Sequence, residues 1–316
     1  MNRNKLSIII PHYNSSKLLK KLLSTIPQGK NIQIIVVDDK SKKEDIEYIK
    51  TLYSKYDFEL YINDTDKKGA GVARNIALQK AKGKWILFAD SDDYFTDNFY
   101  EAVDEYFDSD KEIVFFKPTS IYIDTNEITH RHVNFKKMLD NYNNGENSSE
   151  LFLRYNIPNP ICKMIKKDFI LNYNIKFDEV IASNDVLFST KVGLYMKKFD
   201  ICDEIIYVIT RNRGSLTTKM SENIFDTRLK VKINYHNFLK EKLTQNEMDI
   251  LNIYFVGWLY SSLRYGISHF IKTYFLIKKE QVILFDKNIY SPSFIVKKLI
   301  HRYKIYKNNK RYYIEN

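Results

Sequence analysis

The first 90 residues of this chain alternate short, mostly apolar runs with longer stretches in which apolar side chains recur every three or four positions. The apolar runs lie at 6–10, 32–37, 58–63 and 85–89 and are rich in isoleucine and valine. Continuous apolar runs are typical of strands that are buried on both faces of a sheet. Because stretches with helical spacing separate them, the order predicts a doubly wound, mainly parallel α/β sheet with right-handed crossovers.

Three helices are predicted between these strands. The first follows Asn14 and Ser15, whose side chains suit a helix N-cap, and the others span 44–56 and 71–82. Farther along the chain the pattern changes, because residues 124–160 are polar and rich in asparagine. We interpret that stretch as a surface excursion.

The last part of the chain is predicted to be mainly helical. Helical spacing recurs at 163–172 and 185–196, and an apolar run covers 200–210. From about residue 218 onward the spacing is helical throughout. We therefore expect an α/β domain over 1–220 and a helical extension over 221–316.

Polar residues follow three of the predicted strands at the point where each strand ends. They are 11–14, 38–39 and 90–93, and five of them are aspartates. In open parallel sheets, ligands bind beyond the carboxyl ends of the strands, where the strand order reverses. The sequence therefore predicts a binding site that is lined by carboxylates along this edge.

Asp90 and Asp92 form a D-x-D pattern directly after a buried strand. Alternate residues of an extended turn point the same way, so two carboxylates can converge on one hard cation such as Mg²⁺ or Mn²⁺. The competing interpretation is that these acids cap the helix predicted to start near residue 97. Their place among other strand-end acids favours the metal.

The remaining strand-end signals are individually weaker. Asp38 and Asp39 can accept hydrogen bonds from a nucleobase or ribose, or they can cap a helix near residue 41. Tyr13 can stack on a base or be an ordinary aromatic residue at a strand end. Glycines at 69 and 71 allow close backbone approach, and Arg74 can reach a phosphate or pair with a strand-end acid.

Composition narrows the class of protein. The 316 residues are 44% hydrophobic and 28% charged, close to globular averages, which excludes a disordered chain. The two cysteines, Cys162 and Cys202, are too few for a disulfide scaffold, so we expect reduced thiols in a cytosol. The apolar run at 6–10 is too short for a secretory leader.

The positive charge is concentrated at one end. The net charge is +11; residues 201–316 hold 20 Lys and Arg against 10 Asp and Glu, whereas residues 1–200 are almost neutral. Basic, aromatic segments suit nucleic acid or an anionic membrane surface. The strand-end acids would repel a polyanion, so we expect no nucleic acid.

The apolar stretch 253–277 has nearly the length of a membrane span. Arg264, His269 and Lys272 lie inside it, and central charges make spanning costly. We therefore expect a packed helix or one that lies on a bilayer surface. With the basic tail after Val296, this predicts a peripheral protein at the inner face of the cytoplasmic membrane; the alternative is a solvated helical face.

The motifs SIIIPHYN, IIVVDDKS, GAGVARNIAL and GKWILFADSDD occur in unbroken order over residues 5–100. Together they resemble the successive signatures of family 2 glycosyltransferases with the GT-A fold, and the likeness continues more loosely to about 218. The resemblance implies a nucleotide-sugar donor, usually a UDP-sugar, and Mn²⁺ or Mg²⁺. The donor residues it implies are Pro11, Tyr13, Asn14, Asp39, Arg74, Asn75 and Asp90, with Asp92 and Asp90 at the metal.

The resemblance also implies a catalytic base beyond the D-x-D. The family usually has a Glu-Asp pair there, and this chain has Asn184 and Asp185. Asp185 is thus the candidate base, although both residues also suit a helix start. In the segment ITRNRGSLT, Arg211 and Arg213 are expected at the donor diphosphate, or they are exposed arginines in a turn.

Together these observations predict an inverting glycosyltransferase that extends a surface glycan such as a capsule, lipopolysaccharide or lipid-linked oligosaccharide. The rival enzyme class is a metal-dependent nucleotidyltransferase on a related sheet. The transferred sugar, the acceptor, the linkage and the oligomeric state do not follow from the sequence.

Overall fold

The structure is a computed structural model, and it describes residues 4–211 and 221–285. The chain divides into two compact units, Met1–Tyr235 and His236–Asn316. The boundary that the sequence predicts near residue 220 lies outside the described residues.

The predicted alternation of strands and helices is present in the first 90 residues. The elements are β1 (Leu6–His12), α1 (Ser16–Ser24), β2 (Ile32–Asp38), α2 (Lys43–Thr51), β3 (Glu59–Ile62), α3 (Ala70–Lys80) and β4 (Trp85–Phe88). β1 and β4 are buried along their whole length, as the apolar runs require. α2 is shorter than predicted, because a 3₁₀ turn over Leu52–Ser54 follows it.

The middle of the chain corrects two sequence predictions. Its elements are β5 (Tyr94–Phe95), α4 (Phe99–Asp104), β6 (Ile113–Tyr122), α5 (Val133–Asn143), α6 (Ser149–Tyr155), β7 (Lys163–Lys166), α7 (Lys167–Asn172), α8 (Val186–Tyr195) and β8 (Phe199–Arg211). The stretch 124–160 contains two helices whose Phe135, Leu139 and Leu153 are buried, so it is not merely a surface excursion. The helix predicted over 163–172 is wrong in its first four residues, which form β7.

All eight strands belong to one sheet, in the order β3-β2-β1-β4-β7-β6-β8-β5. The first four strands run parallel, as does β6 with β8, whereas β7 and β5 are antiparallel to their neighbours. The chain moves from β1 outward to β3 and then returns to β4 on the other side of β1. The strand order therefore reverses beside β1, and the residues after β1, β2 and β4 emerge at one edge.

The rest of the described chain is helical, as predicted. It comprises α9 (Glu222–Lys242), α10 (Gln245–Leu251), α11 (Val256–Ser262) and α12 (Ile267–Lys279). Thr244 and Glu247 start α10 with a reciprocal capping box. Within the described ranges, every helix is too short or too polar to cross a bilayer.

Candidate active site

His12 and Asp38 end β1 and β2 and bind each other. Nδ1 of His12 lies 2.9 Å from a carboxylate oxygen of Asp38, and both side chains are fully buried. Asp38 also accepts the Ser41 amide at 3.0 Å. Although burial opposes its charged form, the hydrogen bonds from His12 and Ser41 keep the pKa of Asp38 below its ordinary value. The side chains of His12 and Asp38 therefore link the ends of β1 and β2 and do not face a ligand.

Asp39 connects three segments at the same edge. One carboxylate oxygen accepts the Asn63 side-chain amide at 2.7 Å, and the other accepts the Gly69 N–H at 2.7 Å. Asp39 is 4% exposed. It thereby fixes the end of β3 and the start of α3 around the position where the resemblance places the nucleobase.

The other residues expected at the base surround the end of β1. Pro11 is buried and lies opposite Val37 of β2. Tyr13 is 47% exposed, and the Lys68 ammonium lies 3.7 Å from its ring centroid. The Asn14 side chain accepts the Lys42 amide at 2.8 Å. Tyr13 is thus partly exposed with a cation over its ring, whereas Asn14 holds the loop after β2.

The glycines at the start of α3 allow the segment 178–184 to lie directly on the helix. A Cβ atom on Gly71 would lie 2.2 Å from the Asp178 carbonyl oxygen, and Gly69 has a φ of +129°. Asn75 fixes the same segment, since its side chain accepts the Phe177 N–H at 2.9 Å and donates to the Phe177 carbonyl at 3.0 Å. Asn75 therefore positions the chain that leads to Asp185.

We predict that Gly71→Ala lowers the free energy of unfolding by about 1–3 kcal/mol, because the added methyl overlaps a backbone oxygen. Gly257, a helical glycine with open space around its Cβ position, is the matched control. Gly257→Ala should leave stability unchanged or raise it by about 0.5–1 kcal/mol. Urea denaturation of both variants measures the difference, and equal midpoints would contradict the packing role.

Arg74 links the turn after β4 to the segment that precedes α8. One of its terminal nitrogens donates to a carboxylate oxygen of Asp90 at 2.6 Å, and the other donates to the Asn184 side chain at 2.9 Å. Arg74 is 6% exposed, and its Nε has no hydrogen-bond partner within the described ranges. Of the two roles that the sequence left open, the structure shows the pair with a strand-end acid.

β8 holds the turn that carries the D-x-D. The Tyr207 hydroxyl accepts the Asp90 N–H at 2.8 Å, and Thr210 donates its hydroxyl to the Asp92 carbonyl at 2.6 Å. The Thr210 N–H also donates to the Asp93 carboxylate at 2.7 Å. Sequence reasoning missed these supports, although the apolar run at 200–210 that contains them was visible.

Three carboxylates within four residues repel one another here. The pKa of Asp92 is raised, first by desolvation from the surrounding protein and second by the charge of Asp90. The same two causes raise the pKa of Asp93 well above its ordinary value. The Asp92 side chain is exposed, and that of Asp90 is 41% exposed. An all-oxygen donor set whose charges repel one another fits a divalent cation such as Mg²⁺ or Mn²⁺.

Asp185 lies at the N-terminus of α8, beside Arg74 and Asn184. Within residues 4–211, its side chain makes no hydrogen bond to the amides of the first helical turn. It is half-buried, and burial raises its pKa while the charge of Arg74 opposes the rise. A helix cap therefore does not account for this carboxylate, and its charge interacts with those of Arg74 and Asp90.

Lys163 is a buried charged group that sequence reasoning missed. It starts β7, is 2% exposed, and its ammonium donates to the Ile157 carbonyl at 2.6 Å. Burial lowers the pKa of Lys163 to about 7, against the opposing attraction of Asp185. The burial of Lys163 was not predicted because it lies in a stretch with helical spacing, and a lysine on a helix is ordinarily expected at the surface.

We predict that the stability of the native chain rises with pH between about 7 and 10. The unfolded lysine keeps its proton to about pH 10, whereas Lys163 in the folded chain releases it near 7, so the slope contributed is up to about 1.4 kcal/mol per pH unit. Lys163→Met should remove this contribution, and Lys20→Met, at an exposed site, should retain it. Urea denaturation at several pH values gives the slopes, and parallel curves for native chain and Lys163→Met would refute the assignment.

Arg211, one of the two arginines predicted at the diphosphate, is the last residue of β8. Arg211 is exposed, and its guanidinium carbon lies 5.9 Å from the Tyr122 ring centroid. Arg213 lies outside the described residues. Their contact with a donor stays a prediction.

A protein family and several known proteins resemble this chain. A model described as glycosyl transferase family 2 matches residues 7–173. The Escherichia coli protein WfaP, described as UDP-Glc:alpha-D-GlcNAc-diphosphoundecaprenol beta-1,3-glucosyltransferase, is 32% identical over 193 residues, which cover 58% of this chain and 75% of WfaP.

A second relative is much longer than the stretch it shares. Poly(ribitol-phosphate) beta-N-acetylglucosaminyltransferase TarS of Staphylococcus aureus is 34% identical over 94 residues, covering 28% of this chain and 16% of TarS. The crystal structure of TarS 1–349 in complex with UDP-GlcNAc superposes with a TM-score of 0.64 at 21% identity, over 85% of this chain and 79% of that one. This likeness confirms the predicted fold class.

Proposed function

The chain belongs to glycosyl transferase family 2, and from this membership we propose that it is an inverting glycosyltransferase. It moves a sugar from a nucleotide-sugar, a UDP-sugar, to a hydroxyl group of a bacterial surface glycan. The observation that carries the proposal is the convergence of Asp90, Arg74 and Asp185 beside the switch in strand order.

The donor is proposed to bind across the ends of β1, β2 and β4. The nucleobase lies against Tyr13, whose ring is exposed, and within reach of Asp39. The diphosphate lies toward Asp90 and Asp92, with Arg211 and Arg213 as further cationic contacts. UDP is the favoured nucleotide because TarS was crystallised with UDP-GlcNAc and the name of WfaP specifies UDP-Glc.

Asp92, together with Asp90, is proposed to hold Mn²⁺ or Mg²⁺. A cation held there would offset the negative charge that develops on the diphosphate. Arg74 draws one oxygen of Asp90 toward itself, so Asp92 is the less encumbered ligand of the two.

Asp185 is proposed to be the general base. Its half-buried carboxylate is uncommitted to the helix, so it can accept the proton of an acceptor hydroxyl as that oxygen attacks the anomeric carbon. A single base and direct displacement give inversion at that carbon.

A donor screen tests the proposal. The chain is incubated with each of several UDP-sugars and with Mn²⁺ or Mg²⁺, and the thermal midpoint and the release of UDP are measured. A donor held far above its dissociation constant should raise stability by about 2–4 kcal/mol, and slow UDP release should accompany it. Pyrophosphate release from a sugar phosphate and a nucleoside triphosphate would instead identify a nucleotidyltransferase and overturn the proposal.

The acceptor is proposed to be a growing capsule, lipopolysaccharide or lipid-linked oligosaccharide. The name of WfaP specifies an acceptor that is linked to diphosphoundecaprenol, so peripheral attachment at the inner face of the cytoplasmic membrane belongs to the same proposal. A basic C-terminal region is the sequence feature that supports it.

A further inference from the structure

The C-terminal unit displays large exposed apolar side chains on α12 and in the segment that precedes it. Ile267, Ile271 and Phe275 follow one another at four-residue intervals on α12, and Tyr260 and Leu263 precede them. Each of the five is between 43% and 70% exposed. Residues four apart on a helix lie on the same face, so the three on α12 form one stripe, which we call the α12 stripe.

The opposite face of α12 is packed. His269, Thr273 and Ile277 are buried at the same four-residue spacing. The helix therefore has a distinct inner face, and the α12 stripe is a second apolar face that points outward. Large exposed apolar side chains that are contiguous mark a contact surface, whereas scattered ones do not.

Cationic side chains lie beside the stripe. Lys272, Lys278 and Lys279 are exposed on α12, and Arg264 is exposed just before it. The stretch 250–279 contains no Asp or Glu. An apolar stripe bordered by lysines is the pattern of a helix that lies in the plane of an anionic bilayer surface.

Charge also argues against two other occupants. A second copy of the chain would bring lysines against lysines around the same stripe. Residues 286–316 hold eight Lys and Arg against two Asp and Glu, so this segment carries the same sign as the stripe border. An anionic lipid headgroup has the complementary charge.

We propose that the α12 stripe inserts into the headgroup region of a bilayer that contains anionic lipid, with the flanking lysines on the headgroups. The α12 stripe is thus the surface through which the proposed membrane attachment takes place. Lipid binding by this face requires neither donor nor transfer, so it stands or falls separately from the glycosyltransferase activity.

Sedimentation of the full chain with vesicles tests the proposal. Phosphatidylcholine vesicles with phosphatidylglycerol should bind the native chain, and phosphatidylcholine alone should bind it more weakly. In the variant Ile267→Ser/Ile271→Ser/Phe275→Ser, the affinity for the anionic vesicles should fall about tenfold or more, since the inserted apolar area is lost. The control Ile128→Ser/Leu171→Ser removes exposed apolar side chains from the other unit and should bind as the native chain does.

A charge reversal tests the border of the stripe. Lys272→Glu/Lys279→Glu should lose most of the preference for phosphatidylglycerol, whereas Lys20→Glu/Lys55→Glu, at exposed positions of the other unit, should retain it. Thermal midpoints by circular dichroism verify that all variants fold. Native-like vesicle binding by the triple serine variant would refute the proposal. So would a native chain that is dimeric without lipid if the triple serine variant is monomeric.

Discussion

Asp185→Asn is expected to reduce sugar transfer by about 10²–10⁴-fold, the contribution typical of a general base, while UDP binding stays unchanged. The amide is nearly isosteric but cannot accept the acceptor proton. Since the Asp185 side chain does not cap α8, its replacement should not destabilise the helix. Product formation and UDP affinity, measured on the same preparation, separate catalysis from binding.

The matched control is Asp178→Asn, a half-buried carboxylate in the same segment whose pKa burial also raises. It should keep most of the transfer activity. Asp185→Glu should recover part of the lost rate, because a carboxylate is restored at a slightly different reach. Near-normal transfer by Asp185→Asn, or equal losses in both asparagine variants, would show that Asp185 is not the base.

Asp92→Ala should weaken the Mn²⁺-dependent binding of UDP on the order of 100-fold, because it removes one of the two carboxylates proposed to hold the cation that would offset the diphosphate charge. The variant should unfold no more readily than the native chain. Desolvation by the surrounding protein and repulsion from Asp90 raise the pKa of Asp92, so its removal relieves an unfavourable electrostatic interaction. Titration calorimetry with Mn²⁺ alone, UDP alone and both together measures the effect.

Asp97→Ala serves as the control, since this exposed carboxylate lies shortly after the same turn. It should leave UDP binding and its metal dependence intact. If Asp92→Ala bound UDP with undiminished dependence on Mn²⁺, the cation would have to be held elsewhere. Together with the Asp185 variants, this separates loss of donor binding from loss of proton transfer.

The first half of the fold was predictable because its signals are local. A run such as LSIII is buried on both faces in any parallel sheet, and four such runs separated by helices allow few other arrangements. The strand-end acids Asp39, Asp90 and Asp92 were equally predictable, since they come shortly after β2 and β4. Chain order and local pattern suffice for both conclusions.

The second half was less predictable because its strands are mixed. β7 has only four residues and leads straight into α7, so its apolar pattern merges with that of the helix. Paired residues of β6 and β8 are 86–89 positions apart in the sequence, and short-range periodicity contains no information about such pairing. Lys163 was hidden for the same reason.

The sequence by itself determined which side chains follow the first strands at the carboxyl edge of the sheet, because strand ends and side-chain alternation follow from local apolar patterning. Only the tertiary structure decided what each of them does there. Asp38 is sealed against His12 while its neighbour Asp39 connects β3 to α3, and Arg74 is committed to Asp90. These choices depend on contacts between residues far apart in the chain, whose geometry exists only once the sheet has closed around them.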